Sequence, residues 1–241
     1  MSSAQVKAFA QSRGTRAKTD RIDAELIARS IAFRPEAGRS RPAEKIRLLR
    51  ALTSKRAQLV EIRKRLLAQI RARQKLGTDV MFEDVDIELK QRIDSLIKDL
   101  EDRITRAIGS DDHLLKIATV LCSIPGIGPV ASTMLIAEMP EFGTITGEEA
   151  AALSGLAPVA HDSVTLRGKR AIAGGRRVLR HVMFQAVLVA AHHDPSLKSF
   201  ADRLRKAGKP LKVIIIAVAR KLITIANATC ESRQKWAARA T

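Results

Sequence analysis

The amino-acid sequence predicts a mainly α-helical protein. Apolar residues recur at helical spacing in most segments after residue 19, and glycines and prolines separate these segments. Apolar residues make up 46% of the 241 residues, which suffices for real hydrophobic cores. The breaks in the helical pattern divide the chain into residues 1–42, 43–109 and 110–241, and we expect three corresponding domains.

The charge of the chain predicts a polyanionic partner. Forty-three Lys and Arg residues outnumber twenty-five Asp and Glu residues, which gives a formal net charge of +18. An excess of this size is more than solubility needs, and it favours nucleic acid. Because aromatic residues make up only 3% of the chain, we expect contacts with the backbone and grooves of double-stranded DNA rather than base stacking.

Three further features favour the cytoplasm and disfavour a membrane. The longest strongly apolar run, residues 213–219, is too short to span a bilayer and ends at Arg220 and Lys221. The first residues are polar and mixed, unlike a secretory leader. Cys122 and Cys230 lack the spacing of a zinc motif or of a disulfide framework, which fits a reducing compartment.

The first part of the chain contains a helix that begins near Thr19 or Asp20. Its apolar positions are Ile22, Leu26, Ile27 and Ile31. Asp20 and Asp23 are one turn apart, so both carboxylates can reach one hard divalent cation such as Mg²⁺. The same residues also suit a helix N-terminus, where Asp20 caps the helix and Asp23 interacts favourably with its dipole. The residues alone favour capping, and the magnesium site remains the alternative.

The second part predicts an antiparallel helical hairpin or coiled coil. Leucines recur at intervals of seven at Leu52, Leu59 and Leu66. Residues 43–76 form the first helical run, residues 77–86 interrupt it, and residues 87–108 form the second. Such a hairpin can join copies of the chain into a homo-oligomer. We interpret its basic outer positions as a solvated surface rather than as a DNA contact.

The third part begins with two helices that are joined by a short apolar turn. The turn reads Ile-Pro-Gly-Ile-Gly-Pro over residues 124–129 and is similar to a helix-hairpin-helix motif. Gly126 and Gly128 would let the backbone approach a phosphate, and Pro129 suits the first position of the following helix. This motif contacts the DNA backbone without reading sequence. The alternative is a plain tight turn between packed helices.

The remainder of the third part is predicted to be helical throughout. A capping box at Thr146 begins a short helix. A long helix with a broad apolar face covers residues 176–193, and Asp194 and Pro195 begin the next one. The last helix, at about residues 211–230, is rich enough in Val and Ile to lie in the core.

A serine stands in a basic loop between the short helix and the long one. Glycines and a proline bracket Ser163, and the cations that follow it include Arg167, Lys169, Arg170, Arg176 and Arg177. Arg176 and Arg177 open a helix whose N-terminus is already partly positive, so an anion such as phosphate is expected beside them. A solvated basic loop explains these residues equally well.

Together these motifs resemble a family of bacterial insertion-sequence transposases with an N-terminal RuvC-like DEDD domain and a C-terminal serine-bearing domain. The family includes the bridge-RNA-guided recombinases. The matching stretches are residues 17–24, the helical hairpin, residues 124–129, residues 154–158, Asp162 and Ser163, residues 167–170, residues 172–176 and residues 208–210. They occur in the family's order and cover nearly the whole chain.

The resemblance implies specific functions for these residues. Residues 1–42 would be the end of a RuvC-like domain, in which Asp20 and Asp23 bind Mg²⁺ as catalytic carboxylates. Ser163 would attack a DNA phosphodiester and form a phosphoserine link, while the five cations around it hold the DNA backbone. Double-stranded DNA is then the substrate, and a structured guide RNA is a further implied partner.

The chain also departs from the family pattern. Family members begin upstream, with strands that carry the first Asp and the Glu of the tetrad, so we expect this chain to be N-terminally truncated and unable to complete the metal site alone. Val164 stands where the family often has Gly. The alternative function is a non-catalytic DNA-binding protein that uses the hairpin turn and the basic loop.

Overall fold

The computed structural model describes residues 3–14, 20–33, 42–159 and 171–237. These residues are almost entirely helical, which confirms the predicted fold class. They divide into two compact units, Met1–Ala43 and Glu44–Thr241, which are considered separately. The predicted division into three domains remains a prediction.

The described residues of the first unit form two helices, α1 (Ser3–Ser12) and α2 (Asp20–Phe33). They pack through Phe9 and Phe33, whose ring centroids lie 6.0 Å apart, and Leu26 is buried. Helix α2 begins at Asp20, as the apolar spacing predicted.

The second unit begins with the predicted hairpin. Helix α3 (Glu44–Leu76) and helix α4 (Glu83–Gly109) are joined by a 3-10 turn at Asp79–Phe82. Helix α3 is about 50 Å long, since each of its 33 residues adds 1.5 Å. Helix α4 begins four residues earlier than predicted, because the acidic side chains of its first turn interact favourably with the helix dipole.

Ion pairs and a small apolar cluster hold the two hairpin helices antiparallel. The ion pairs are Arg56–Glu101, Arg63–Asp94 and Arg73–Asp86. Between them lies a cluster of Leu66, Ile93 and Ile97. The hydrogen bond from Arg63 lowers the pKa of the Asp94 carboxyl, with Lys90 contributing in the same direction.

The remaining helices build one core around the last of them. They are α5 (Asp112–Cys122), α6 (Pro129–Glu138), α7 (Gly147–Leu153), α8 (Arg177–His193), α9 (Pro195–Lys206) and α10 (Leu211–Ser232). The base of the hairpin belongs to the same core, because Leu49 and Ile108 are buried in it. The Nε of Arg50 also donates a hydrogen bond of 2.6 Å to the carbonyl of Ala137 near the end of α6.

Side chains cap α5, α7 and α9, and the caps of α7 and α9 were predicted from the sequence. Thr146 and Glu149 form the capping box of α7, and Asp194 accepts hydrogen bonds from the amides of Ser196 and Leu197. Asp111 caps α5 and also binds the ammonium group of Lys45 at 2.8 Å, and this contact lowers the pKa of the Asp111 carboxyl.

Helix α10 is long and apolar enough to cross a membrane by length and composition. Half of its most apolar stretch is nevertheless buried inside the protein, with Val218, Leu222 and Ile223 almost inaccessible to solvent. Its neighbours are α5, α7, α8 and α9. This burial is typical of a central core helix.

The prediction that the third part is helical throughout was wrong at one place. A two-stranded antiparallel sheet joins β1 (Pro158–Val159) to β2 (Ala171–Ile172), with Pro158 opposite Ile172. Two residues per strand are too few to produce a recognisable alternation of apolar and polar side chains. Helix α10 also extends two residues past the predicted end.

Candidate functional site

The turn between α5 and α6 has the backbone of a tight hairpin. The amide of Ile127 donates a 3.0 Å hydrogen bond to the carbonyl of Ile124, with Pro125 and Gly126 at the two central positions. Gly126 has φ +86°, which a non-glycine side chain would strain. Ile124 and Ile127 are each 2% exposed, so the apolar residues of the turn anchor it in the core.

The two glycines of this turn have different surroundings. A Cβ atom at Gly126 would lie 2.4 Å from the carbonyl oxygen of Ala186 and 2.7 Å from the Cβ of Ala190, both on α8. A Cβ atom at Gly128 would meet nothing within 4 Å. Gly126 therefore serves close packing against α8, while Gly128 is open to solvent and leaves room for a phosphate.

The exposed end of α6 offers free amides beside Gly128. Gly128 is the N-cap and Pro129 the first helical residue, and the amide of Ser132 donates to the Gly128 carbonyl at 2.9 Å. The amides of Val130 and Ala131 precede the first intrahelical bond and have no backbone acceptor within the described ranges. A helix N-terminus of this form is suited to an anion.

Two flanks lead into and out of residues 160–170, which we call the serine segment. The flanks, residues 153–159 and 171–177, are joined by the β1–β2 pairing. At their base the amide of Arg176 donates a 2.8 Å hydrogen bond to the carbonyl of Leu153. A Cβ atom at Gly175 would lie only 2.2 Å from the amide nitrogen of Gly155, so the two backbones touch there. Both glycines have positive φ.

The N-terminus of α8 contains two neighbouring arginines in different environments. Arg176 is the N-cap, and its guanidinium forms an ion pair with the carboxylate of Glu141 from the loop after α6. The sequence predicted an anion beside Arg176, and at this residue the anion is the Glu141 carboxylate of the same chain. Arg177 is exposed and has no ion-pair partner among the residues that the structure describes.

Four of the predicted site residues lie outside the described residues: Ser163, Arg167, Lys169 and Arg170. Of the predicted carboxylates, Asp20 is the first residue of α2 and Asp23 follows one turn later. Asp23 is half-buried. In the described part of the chain, no three His, Cys, Asp or Glu side chains come together as a metal site.

Sequence reasoning missed two residues that shape the site, Glu141 and Asn227. Glu141 is 35 positions from Arg176, and Asn227 is 84 positions from Gly143, whose amide it binds. Neither pair shows a local spacing that could have revealed it. Asn227 stands next to the apolar residues of α10, and this polar position was the signal that the sequence offered.

Comparison with known proteins relates both ends of the chain to transposases. A family model described as "Transposase IS116/IS110/IS902 family" matches residues 118–202, which include the hairpin turn, both flanks, all of α8 and most of α9. A second family model, described as "Transposase" and named for the DEDD transposases of IS110, matches residues 1–75.

Curated relatives extend over almost the entire chain. The pilin gene-inverting proteins of Moraxella bovis and Moraxella lacunata are each 31% identical over 236 residues, which is 96% of this chain and 71% of each relative. An uncharacterized 43.6 kDa protein of insertion element IS110 from Streptomyces coelicolor is 30% identical over 111 residues, or 45% of this chain and 27% of the relative.

Proposed function

Because the chain belongs to the IS116/IS110/IS902 family of transposases, we propose that it cleaves and rejoins DNA through a covalent link to Ser163. Its relatives include proteins named for the inversion of a pilin gene, and inversion of a DNA segment is a reaction of this kind. Double-stranded DNA is the substrate, in the cytoplasm and at the nucleoid. The match to residues 118–202, which contain Ser163 between its flanks, carries this proposal.

The proposed reaction is a transesterification. The Ser163 hydroxyl loses its proton, its oxygen forms a bond to the phosphorus of a DNA phosphodiester, and the bond from phosphorus to one sugar oxygen breaks. The departing sugar oxygen takes up a proton. One phosphate ester replaces another, so attack by a different DNA hydroxyl can later reseal the strand without an external energy source.

The cations around the serine segment would bind the DNA backbone. We assign this function to Arg167, Lys169, Arg170 and Arg177, with the open N-terminus of α6 at Gly128 as a second phosphate contact. The exposure of Gly128 and Arg177 supports these assignments. Arg176 is considered below, because Glu141 already compensates its charge.

Asp20 and Asp23 would hold a magnesium ion. Mg²⁺ is usually bound by one or two carboxylates together with water and substrate phosphate, which two acids one helical turn apart can provide. When bound, the cation stabilises negative charge on the phosphate and favours the ionised hydroxyl. We expect EDTA to abolish the DNA adduct and Mg²⁺ to restore it. Asp23→Asn should weaken this restoration, whereas Glu25→Gln on the same helix should not.

The hairpin is the proposed site of homo-oligomerisation. Its tip exposes three apolar side chains that a second copy of the chain could cover. They are Leu76, Val80 and Met81, and each is at least 74% exposed. Analytical ultracentrifugation should show an oligomer that the double variant Val80→Glu and Met81→Glu dissociates. Sequencing of nucleic acid that copurifies with the chain tests the implied guide RNA.

Covalent trapping tests the proposed function. Supercoiled plasmids with random inserts are incubated with the chain and Mg²⁺, denatured, and separated on a gel that reveals protein linked to DNA. We expect an adduct that Ser163→Ala abolishes and that Ser199→Ala, at an exposed serine of α9, leaves intact. Such an adduct from this chain and Mg²⁺ alone would overturn the expectation that it cannot complete the metal site. If no adduct forms while Ser163→Ala and Asp20→Ala both bind DNA like the unaltered chain, the non-catalytic DNA-binding alternative is correct.

A further inference from the structure

The ion pair between Glu141 and Arg176 has a defined geometry in addition to its electrostatic attraction. Both guanidinium NH groups of Arg176 donate to the two carboxylate oxygens of Glu141, the longer contact measuring 3.3 Å. Side-chain exposure is 13% for Arg176 and 32% for Glu141, so water competes weakly for the arginine. A bidentate pair of this kind fixes both the distance between the two side chains and their relative orientation.

Arg176 stands where the second flank returns to the core. Its backbone amide binds the Leu153 carbonyl at the start of the first flank, and the backbones of Gly155 and Gly175 touch directly. A displacement of Arg176 therefore moves both flanks, and with them both ends of the serine segment.

Glu141 is itself fixed to the core by a buried amide. Asn227 of α10 is 2% exposed, its Oδ1 accepts a 2.9 Å hydrogen bond from the Gly143 amide, and its Nδ2 donates a 2.6 Å bond to the Ile145 carbonyl. The loop that carries Glu141 is thus held against the most buried helix of the molecule. Hydrogen bonds and one ion pair connect α10 to the base of the flanks.

We propose that Glu141 is a positioning residue for the reaction of Ser163, and this inference depends on the proposed function. Glu141 fixes Arg176, and Arg176 fixes the two flanks between which Ser163 lies in the sequence. A displacement of about 1 Å at a reacting group can lower a rate by about 100-fold, so a residue that never touches DNA can control the reaction. Arg176 then holds the flanks in place rather than contacting a phosphate.

The first test separates the rate of adduct formation from DNA affinity. At saturating DNA we expect Glu141→Gln to slow adduct formation by about tenfold or more while the Kd for DNA changes by less than about twofold. Glu141→Asp, which keeps the carboxylate, should recover part of the rate, and the double variant Glu141→Arg with Arg176→Glu should recover more than either single variant. Glu148→Gln, an exposed acid on α7, serves as the matched control.

The second test does not depend on DNA cleavage by the protein. Hydrogen exchange of the peptides that contain residues 153–159 and 171–177 should become about tenfold faster in Glu141→Gln, because the Arg176 amide loses its fixed acceptor geometry. Exchange in α9 and the unfolding midpoint should stay unchanged, which excludes a general loss of stability.

These measurements separate two kinds of failure. If the unaltered chain gives no Ser163-dependent adduct, the proposed function is wrong, and exchange in the flanks still decides whether Glu141 fixes them. Unchanged exchange in Glu141→Gln, an unchanged adduct rate, or a loss of DNA affinity equal to the loss of rate would each overturn the positioning function.

Discussion

Gly126 and Gly128 stand two residues apart in the hairpin turn for different physical reasons. Gly126 combines a positive φ with direct contact to the backbone of α8, and Gly128 combines an ordinary φ with open space. The sequence pattern treats both as phosphate-binding glycines. Only the packing partner, 60 or more residues away along the chain, distinguishes them.

Gly126→Ala should therefore destabilise the protein by at least about 2 kcal/mol, through left-handed backbone strain and overpacking against Ala186. Gly128→Ala is the matched control and should change the free energy of unfolding by less than about 1 kcal/mol. Urea denaturation followed by circular dichroism measures both. Equal losses for the two variants would contradict the structural distinction.

The two cysteines should differ in their reactivity. Burial raises the pKa of the Cys230 thiol to about 11, whereas Cys122 is exposed. Because the thiolate is the nucleophile, only about one Cys230 in a thousand is ionised at pH 8, and the fraction rises as pH approaches 11. Mass spectrometry after brief maleimide treatment at pH 8 should find the label on Cys122. Equal labelling of Cys230 in the folded protein would show that its thiol is not shielded from solvent.

At the scale of elements, the hairpin has two sources of stability. Its base shares the main core, while its middle depends on the small cluster of Leu66, Ile93 and Ile97. Ile97 is 5% exposed, whereas Leu89 on the same helix is 47% exposed. The outer hairpin should therefore open at a lower free energy than the core.

Ile97→Ala should lower the opening free energy of the outer hairpin by roughly 2–3 kcal/mol, and Leu89→Ala by less than about 0.5 kcal/mol. Native-state hydrogen exchange of residues 59–70 measures this opening. If exchange in α10 accelerates by the same factor, the hairpin and the core unfold as one unit.

The helices could be predicted because their information is local. Apolar spacing, acidic first turns and the capping residues Thr146 and Asp194 lie within a few positions of the elements they define. The β1–β2 ribbon, the contact of Gly126 with α8 and the Glu141–Arg176 pair depend on residues that only the tertiary fold brings together. The resemblance to transposases identified the motifs, but it did not reveal how the flanks of the serine segment are anchored.

For the whole molecule, the net charge of +18 predicts DNA binding that weakens steeply with salt. Each phosphate contact adds about 0.9 to the slope of log K against log salt concentration. Arg177→Ala should reduce that slope by about 0.9, while Arg205→Ala, at an exposed arginine already paired with Asp202, should leave it unchanged. Fluorescence anisotropy between 50 and 200 mM salt, roughly the range over which such binding falls, measures the slope. An unaltered slope in Arg177→Ala would remove this arginine from the interface.

Helix α8 joins the two proposed DNA contacts. The hairpin turn packs against Ala186 and Ala190, and Arg177 lies at the other end of the helix, where the second flank joins it. At 1.5 Å per residue these points are roughly 14–20 Å apart on one rigid axis. Since successive nucleotides of a DNA strand advance by about 3.4 Å, the helix spans roughly four to six of them. The length of α8 would then set the distance between a phosphate bound near the hairpin turn and a phosphate bound by Arg177, whatever the bases are.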